Sequence, residues 1–434
     1  LYYGKPYEKL PLVIQKISPT NITISLGQLN HQPITHNLLL LLNQSEAVFQ
    51  LKNNINVTLL LTAIELNEGV YNISFSCNAP TGILCNLNQT YCITSNSCSV
   101  QSEISVQNTI YPGSYTITYY AKDNESRSAS TTFTLSICLY IYNGQSYFFW
   151  GDINGNSYIP PIQDQGLCGD CWAFAVGNAI ISSYMIYNNE PNQNLYPSAY
   201  QLATCCNTQN PICYGYAYGC LGTFNLSGPL LYAQENGLSL DNNDQVYSAT
   251  LASCSGQGYS YPADTCGYTC QYTSNILFYP KQIVSFSVDP YNTNQIKYDL
   301  MCYGPLAVAG LLGPNGAGHA VLLVGFNDNS QTCEEMYGVP GCWILENQWG
   351  NYTACVLING STAIVDNNTP ITICNMLFNN NALCPYYTGY NCQAVYWMKN
   401  GFLYVPYYSE AQTPFGGTFP AEMYAIEGVY TSSQ

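Results

Sequence analysis

Charge is what this chain lacks most. Only 8% of its residues are Asp, Glu, Lys or Arg, against about 25% in an ordinary soluble protein. Basic side chains are the scarcer kind, nine against 25 acidic ones. Proteins that bind nucleic acid neutralise phosphates with a basic surface, so the composition argues against such a partner. Histidine is rarer still, limited to His31, His36 and His319. That leaves little scope for imidazole metal ligation, and no metal or cofactor is implied. No apolar run is long enough to span a bilayer, and no signal peptide is visible. Residue 1 is Leu rather than Met, so the sequence reads as a mature product whose leader has been removed.

Tyrosine, cysteine and amides take the place of charge. There are 41 Tyr and 21 Cys, and Asn-x-Ser/Thr sequons occur at Asn21, Asn43, Asn56, Asn72, Asn88, Asn124, Asn225, Asn351, Asn359 and Asn367. Dense cysteine with sequons points to an exported or cell-surface protein carrying N-linked glycans. With so few bases, protonating the carboxylates in acid adds little positive self-repulsion. The composition therefore suits an acidic extracellular setting, and equally a general surface-protein bias.

Residues 163 to 174 read Gln-Asp-Gln-Gly-Leu-Cys-Gly-Asp-Cys-Trp-Ala-Phe. They set two cysteines ahead of a segment with helical spacing. A thiol at a helix N-terminus meets unpaired N–H groups and the positive end of the helix dipole, which favour thiolate. Gln165 can curl back to offer a side-chain N–H beside that sulfur, so nucleophile and oxyanion donor come from one short loop. The odd cysteine total suggests one reactive thiol among paired ones. Two other readings of Cys168 and Cys171 stay open, a redox pair and half a zinc site.

A nucleophilic cysteine needs a base, and His319 is the only histidine that follows it. It lies in Gly-Ala-Gly-His-Ala-Val-Leu-Leu-Val-Gly-Phe, a glycine turn running into an apolar strand. Further on, Trp-Ile-Leu-Glu-Asn-Gln-Trp-Gly supplies Asn347 and Trp349. Asn347 can accept from the imidazole N–H without adding charge, and the indole can shield that bond.

These motifs, in this order, resemble the papain-like (C1) cysteine peptidases, whose signature cysteine precedes the histidine and asparagine by ~130–150 residues. Here the span to Asn347 is longer, and Asp170 replaces the usual small residue of the signature. Pro197 to Cys205, Tyr218 to Gly222, Ala233 to Leu238, Tyr303 to Ala309 and Asn400 to Leu403 resemble further family segments in order. The resemblance implies Cys171 as nucleophile, His319 as general base and acid, Asn347 as its orienter and Trp349 as a cover. The oxyanion hole would combine Gln165 with the Cys171 N–H, and Gly222 would present backbone to an extended peptide. It also implies a Cys168–Cys220 bridge, and a partner for Cys205 at Cys254 or Cys266.

The chain departs from the family in three further places. Thr223 replaces the second glycine of the substrate-contact turn. The segment between Ala309 and His319 is short. Residues 351 to about 395 look inserted and carry four cysteines.

The first 145 residues read as β throughout. Alternation runs through Val70 to Phe75, Gly113 to Ala121 and Ser130 to Ile137, with turn residues between, suggesting an immunoglobulin-like antiparallel sandwich. This region does not resemble the charged helical propeptide of papain-like enzymes. The expected fold is therefore multidomain: an all-β sandwich over 1–145 and an α+β papain-like domain over 146–434, with a helical lobe and a barrel-like β lobe. Cys77, Cys85, Cys92 and Cys98 can pair locally, leaving Cys138 to bridge to the peptidase domain.

The leading expectation is a secreted papain-like endopeptidase acting on protein or peptide substrates. One alternative is a cell-surface or filament subunit, or a homopolymer joined through β-edges, that uses the peptidase fold as a scaffold. Another is a transpeptidase that joins surface proteins.

Overall fold

The computed structural model describes the chain except residues 1–11, 19–20, 27–37, 52–54, 67–68, 108–109, 167, 207–209, 242–269, 271, 273, 313–317, 338–339, 352, 358–361, 366–394, 408–418 and 434. His31, His36, Cys254, Cys266, Asn359, Asn367 and most of the expected insertion lie outside the described residues. Two compact units emerge, one drawn from 1–47, 54–110 and 114–136, the other from 48–53, 111–113 and 137–434.

The first unit is β throughout. A hairpin of β1 (Leu12–Ser18) and β2 (Asn21–Leu26) stands as its own two-stranded sheet. The strands that follow are β3 (Leu38–Leu42), β4 (Glu46–Gln50), β5 (Asn56–Glu65), β6 (Tyr71–Asn78), β7 (Ile83–Leu87), β8 (Tyr91–Thr94), β9 (Ser97–Val106), β10 (Gly113–Lys122) and β11 (Ser128–Cys138). They form two sheets, ordered β3-β5-β9-β7 and β4-β11-β10-β6-β8. The period-2 pattern of the sequence becomes alternating burial, with Leu59, Leu61 and Ala63 inward on β5 and Ile117, Tyr119 and Ala121 inward on β10. A hydrogen bond of 2.9 Å between the hydroxyls of Ser102 and Tyr119 joins the two sheets inside. The local bridges Cys77–Cys85 and Cys92–Cys98 join them as well.

The second unit sets helices against a sheet. Its helices are α1 (Cys171–Asn188), α2 (Ala199–Cys205), α3 (Ser227–Asn236), α4 (Thr293–Tyr303) and α5 (Gln331–Tyr337). Its strands are β12 (Tyr147–Phe149), β13 (Ile276–Ser285), β14 (Leu306–Leu312), β15 (Gly318–Asn327), β16 (Cys342–Glu346), β17 (Thr353–Leu357), β18 (Thr362–Val365), β19 (Val395–Lys399), β20 (Phe402–Pro406) and β21 (Glu422–Ser433). The sheet runs β13-β21-β14-β15-β16-β20-β19-β17-β18, with β12 pairing to β15 beyond the end of β14. Asn400 (φ 51°) and Gly401 (φ 81°) form the turn between β19 and β20, where two positive φ values suit Asn-Gly.

α1 is mostly apolar, and its run Trp172 to Ser183 is buried throughout, which makes it the core of the unit rather than a surface helix. A Cβ on Gly177 would come within 2.8 Å of Pro197, so glycine permits the close approach of the chain leading into α2. Ser183 Oγ donates to Ile426 O at 2.8 Å and ties α1 to β21.

Seven disulfides fall among the described residues, a number that fits an oxidising extracellular compartment. Cys138, at the end of β11 and within the second unit, pairs with Cys302 of α4. Cys205 corrects the sequence reading: its partner is Cys270, not Cys254 or Cys266. Cys270 stands just ahead of β13, whose Phe278 pairs with Leu238 beyond α3, and that return of the chain carries it to α2. The Cys138–Cys302 bridge closes a loop of 164 residues, where loop-closure entropy in the unfolded chain is large. The Cys138→Ala, Cys302→Ala double variant is expected to lose about 2–5 kcal/mol of stability, measured by denaturant unfolding.

Candidate active site

The Cys loop is fixed before the helix begins. The Cys168–Cys220 bridge joins it to the turn at Tyr218 to Gly222. Gly169 N–H donates to Cys220 O at 3.1 Å. A Cβ on Gly169 would lie 2.5 Å from that same oxygen, so only glycine fits here. Trp172 Nε1 donates to Gly219 O at 3.1 Å on the other side. Cys171 is thereby held as the first residue of α1 and is the one free cysteine among the described residues.

Its sulfur meets β15. Ala320 N–H points at Cys171 Sγ from 3.4 Å, placing His319, one residue earlier, beside the thiol. His319 is buried, and its Nε2 lies 2.8 Å from Asn347 Oδ1. Asn347 Nδ2 faces Met398 Sδ at 3.3 Å, so the amide turns its oxygen to the ring and Nε2 carries the proton. Nδ1 is then the basic nitrogen. Trp349 stacks on the imidazole with ring centroids 4.6 Å apart and planes 21° apart, excluding water from the Nε2–Oδ1 bond.

Gln165 is also in place. Its N–H donates to Gln348 O at 2.8 Å, and its side-chain Nε2 donates to Cys168 O at 2.6 Å, leaving the second amide hydrogen for another acceptor. Gln348 has no role in the sequence reading, yet it binds the site together. It is buried, and its Nε2 donates to Ala320 O at 2.9 Å, joining the Gln165 loop to β15. A polar residue between Asn347 and Trp349 was the available signal.

The substrate-contact turn differs from expectation. Gly222 uses its own groups internally: its N–H donates to Gly219 O at 3.2 Å and its C=O accepts from Tyr218 N–H at 2.9 Å. Thr223 pairs with Ala217 as an isolated bridge flanked by the Tyr218–Gly222 and Phe224–Tyr216 bonds. The N–H and C=O of Thr223 therefore point outward, without a backbone partner among the described residues. The Thr223 hydroxyl is turned away, within reach of two carbonyl oxygens, Tyr216 O at 2.8 Å and Asn225 O at 2.6 Å, to one of which its single hydrogen is donated. Among the described residues, no cluster of three or more His, Cys, Asp or Glu could hold a metal ion.

Burial dominates the electrostatics. It pushes the Cys171 thiol up to about 12, although the N–H groups of Ala320, Trp172 and Cys171 pull it down. It pushes His319 down to about 4, partly offset by the bond to Asn347. Each charge is therefore disfavoured when it forms alone, since burial strips water from both the thiolate and the imidazolium. Asp170 is fully buried, neither of its oxygens has a hydrogen-bond partner, and burial raises its pKa well above the carboxylate range. Burial thus favours its neutral acid form, and its charge, once formed, opposes the thiolate. Asp170→Asn should leave alkylation of Cys171 unchanged in acid, where the carboxyl keeps its proton, and accelerate it only above the raised pKa of that carboxyl. An equal effect at every pH, read from alkylation rates, contradicts this assignment.

The sequence model of the papain family cysteine proteases matches residues 147–376. A pea (Pisum sativum) protein called cysteine proteinase 15A is 26% identical over 209 residues, covering 44% of this chain and 51% of that protein. Mouse cathepsin K is 25% identical over 211 residues, 46% of this chain and 55% of its own. A Trypanosoma brucei brucei cysteine proteinase is 27% identical over 209 residues, 44% and 39% respectively. The chain thus spans about half the length of the curated relatives it matches. The family match takes in just over half of the chain and includes Gln165, Cys171, His319 and Asn347, and the chain belongs to the papain family of cysteine proteases.

Proposed function

We propose that this chain is an exported cysteine endopeptidase acting through Cys171, His319 and Asn347. The observation that carries the reading is the buried His319–Asn347 bond beside a free thiol at a helix N-terminus. An extended peptide lies along Thr223, whose outward N–H and C=O accept it as one strand accepts another. Cys171 gives its proton to His319 Nδ1 as Sγ bonds to the scissile carbonyl carbon. Making both charges together, as a contact pair, costs far less than making either alone. The oxyanion receives the Cys171 N–H and the remaining Gln165 amide hydrogen. Collapse breaks the C–N bond while the imidazolium protonates the leaving amine. Water then attacks the thioester, giving its proton to His319, and the C–S bond breaks to restore the thiol.

His319 is the only histidine of the sequence after Cys171, so the matched peptidase segment offers no second imidazole for a substrate C-terminus, which favours the endopeptidase over an exopeptidase. Bridges throughout the chain and exposed sequon residues Asn43, Asn56, Asn72, Asn88, Asn124 and Asn351 support an exported glycoprotein. Asn225 is half-buried, with its Oδ1 accepting from Ser227 N–H and Oγ–H, and is the poorest acceptor of these. The first unit, read as an immunoglobulin-like sandwich, serves as a spacer or docking module.

An epoxide inhibitor of thiol peptidases should label the wild type on Cys171 alone, and Cys171→Ala should lose both label and hydrolysis. His319→Ala should slow hydrolysis about 10²–10⁴-fold. No labelling at any pH from acidic to neutral, read by mass spectrometry, contradicts the enzyme reading and leaves the peptidase fold as a scaffold.

A further inference from the structure

Two turns along α1 from Cys171, Asn178 is buried at 3% exposure and its Nδ2 donates to Glu346 Oε1 at 3.0 Å. Glu346 is 1% exposed and immediately precedes Asn347. One contact therefore joins the helix that carries the thiol to the strand end that carries the partner of the imidazole. The two atoms left over are Asn178 Oδ1 and Glu346 Oε2, and both are buried without a hydrogen-bond partner.

Two acceptor oxygens, on groups already joined at their other ends, are costly in a dry interior. Ionised, Glu346 can only accept, and both oxygens stay orphaned. A carboxylic acid brings one O–H, and Asn178 Oδ1 is the neighbouring unsatisfied acceptor. The result is a closed ring of two hydrogen bonds between a neutral acid and an amide. We propose that protonated Glu346 clamps α1 to β16 through such a ring with Asn178, and so aligns Cys171 with the imidazole that Asn347 holds. Glu346 is a positioning residue, and its ionisation opens the clamp.

Beyond the single N–H of Asn178, the groups around Glu346 offer its charge no relief. Its register partners are Leu322 on β15 and Phe402 on β20. On α1, Ser182 follows Asn178 by one turn and is itself buried without a partner for Oγ. On β21, which also packs against α1, Glu427 is buried and pushed up to about 8 by burial alone. Burial is likewise the sole cause that raises Glu346 well above the carboxylate range. The sign follows: folded Glu346 holds its proton where the unfolded chain has lost it, so its stabilising effect is full in acid and is lost as pH rises through the folded pKa.

The inference about alignment rests on the peptidase reading, whereas the clamp itself does not. Glu346→Gln puts an N–H where the acid has its O–H, so the ring closes without a titrating proton. Its melting temperature should match the wild type in acid and exceed it increasingly toward alkaline pH. Its alkaline limit for kcat should move up by about one pH unit or more, a tenfold change in the ratio of alkaline to acid kcat. Asn178→Asp replaces the amide by a second acid, and its alkaline limit should move down. A merely structural role predicts lower stability in both variants with unmoved pH midpoints, and that result overturns the clamp. If the melting temperatures behave as expected but no form cleaves peptide, the clamp stands and the peptidase reading falls.

Discussion

Everything at the site depends on how the first turn of a buried helix is seated against one strand. α1 has no polar face to offer water, so its position is set by the core around it. Its N-terminus cannot drift, because Cys168 is bridged to Cys220 and Gly169 lies directly on the Cys220 carbonyl. That fixes Cys171 Sγ against the N–H of Ala320. His319, Asn347 and Trp349 then fall into line through β15 and the end of β16. Gln348 closes the arrangement by holding the Gln165 loop to β15.

The same burial that gives precision removes charge. Burial disfavours a lone charge on Cys171 and on His319, and Asp170, Glu346 and Glu427 are all pushed toward the protonated form. A chain with few charged residues has put several of its carboxyls where water cannot reach them. Such an interior suits acid, in which these groups keep their protons, and it links the composition to the chemistry of the site.

Legibility in the sequence followed the range of the interaction. The Cys loop, the glycine turn before His319 and the Asn-Gln-Trp end of β16 announce themselves because each is a local motif with local turn chemistry. The strands of the first unit were readable from period-2 alternation, as in Gly113 to Ala121, which becomes the heart of β10. Cys138 was readable by parity, since its neighbours pair close by. The Cys270 partner of Cys205 was not, because the resemblance points to Cys254 or Cys266 and only the return of the chain into β13 brings Cys270 to α2. Nor was the exchange of roles between Gly222 and Thr223, which turns on which carbonyls a tight turn consumes. Asn178 and Glu346 lie 168 positions apart, and no local pattern marks them as partners.

Histidine scarcity makes the central claim directly measurable. With three imidazoles in the chain, ¹⁵N-histidine NMR of the Cys171→Ala variant follows His319 through a pH titration without interference from the thiol. The account predicts a neutral ring protonated on Nε2 that persists as the pH falls to about 4, and mixed tautomers once Asn347→Ala is added. A ring that takes its second proton at the ordinary histidine pKa of about 6.5, or that carries its proton on Nδ1, would contradict it.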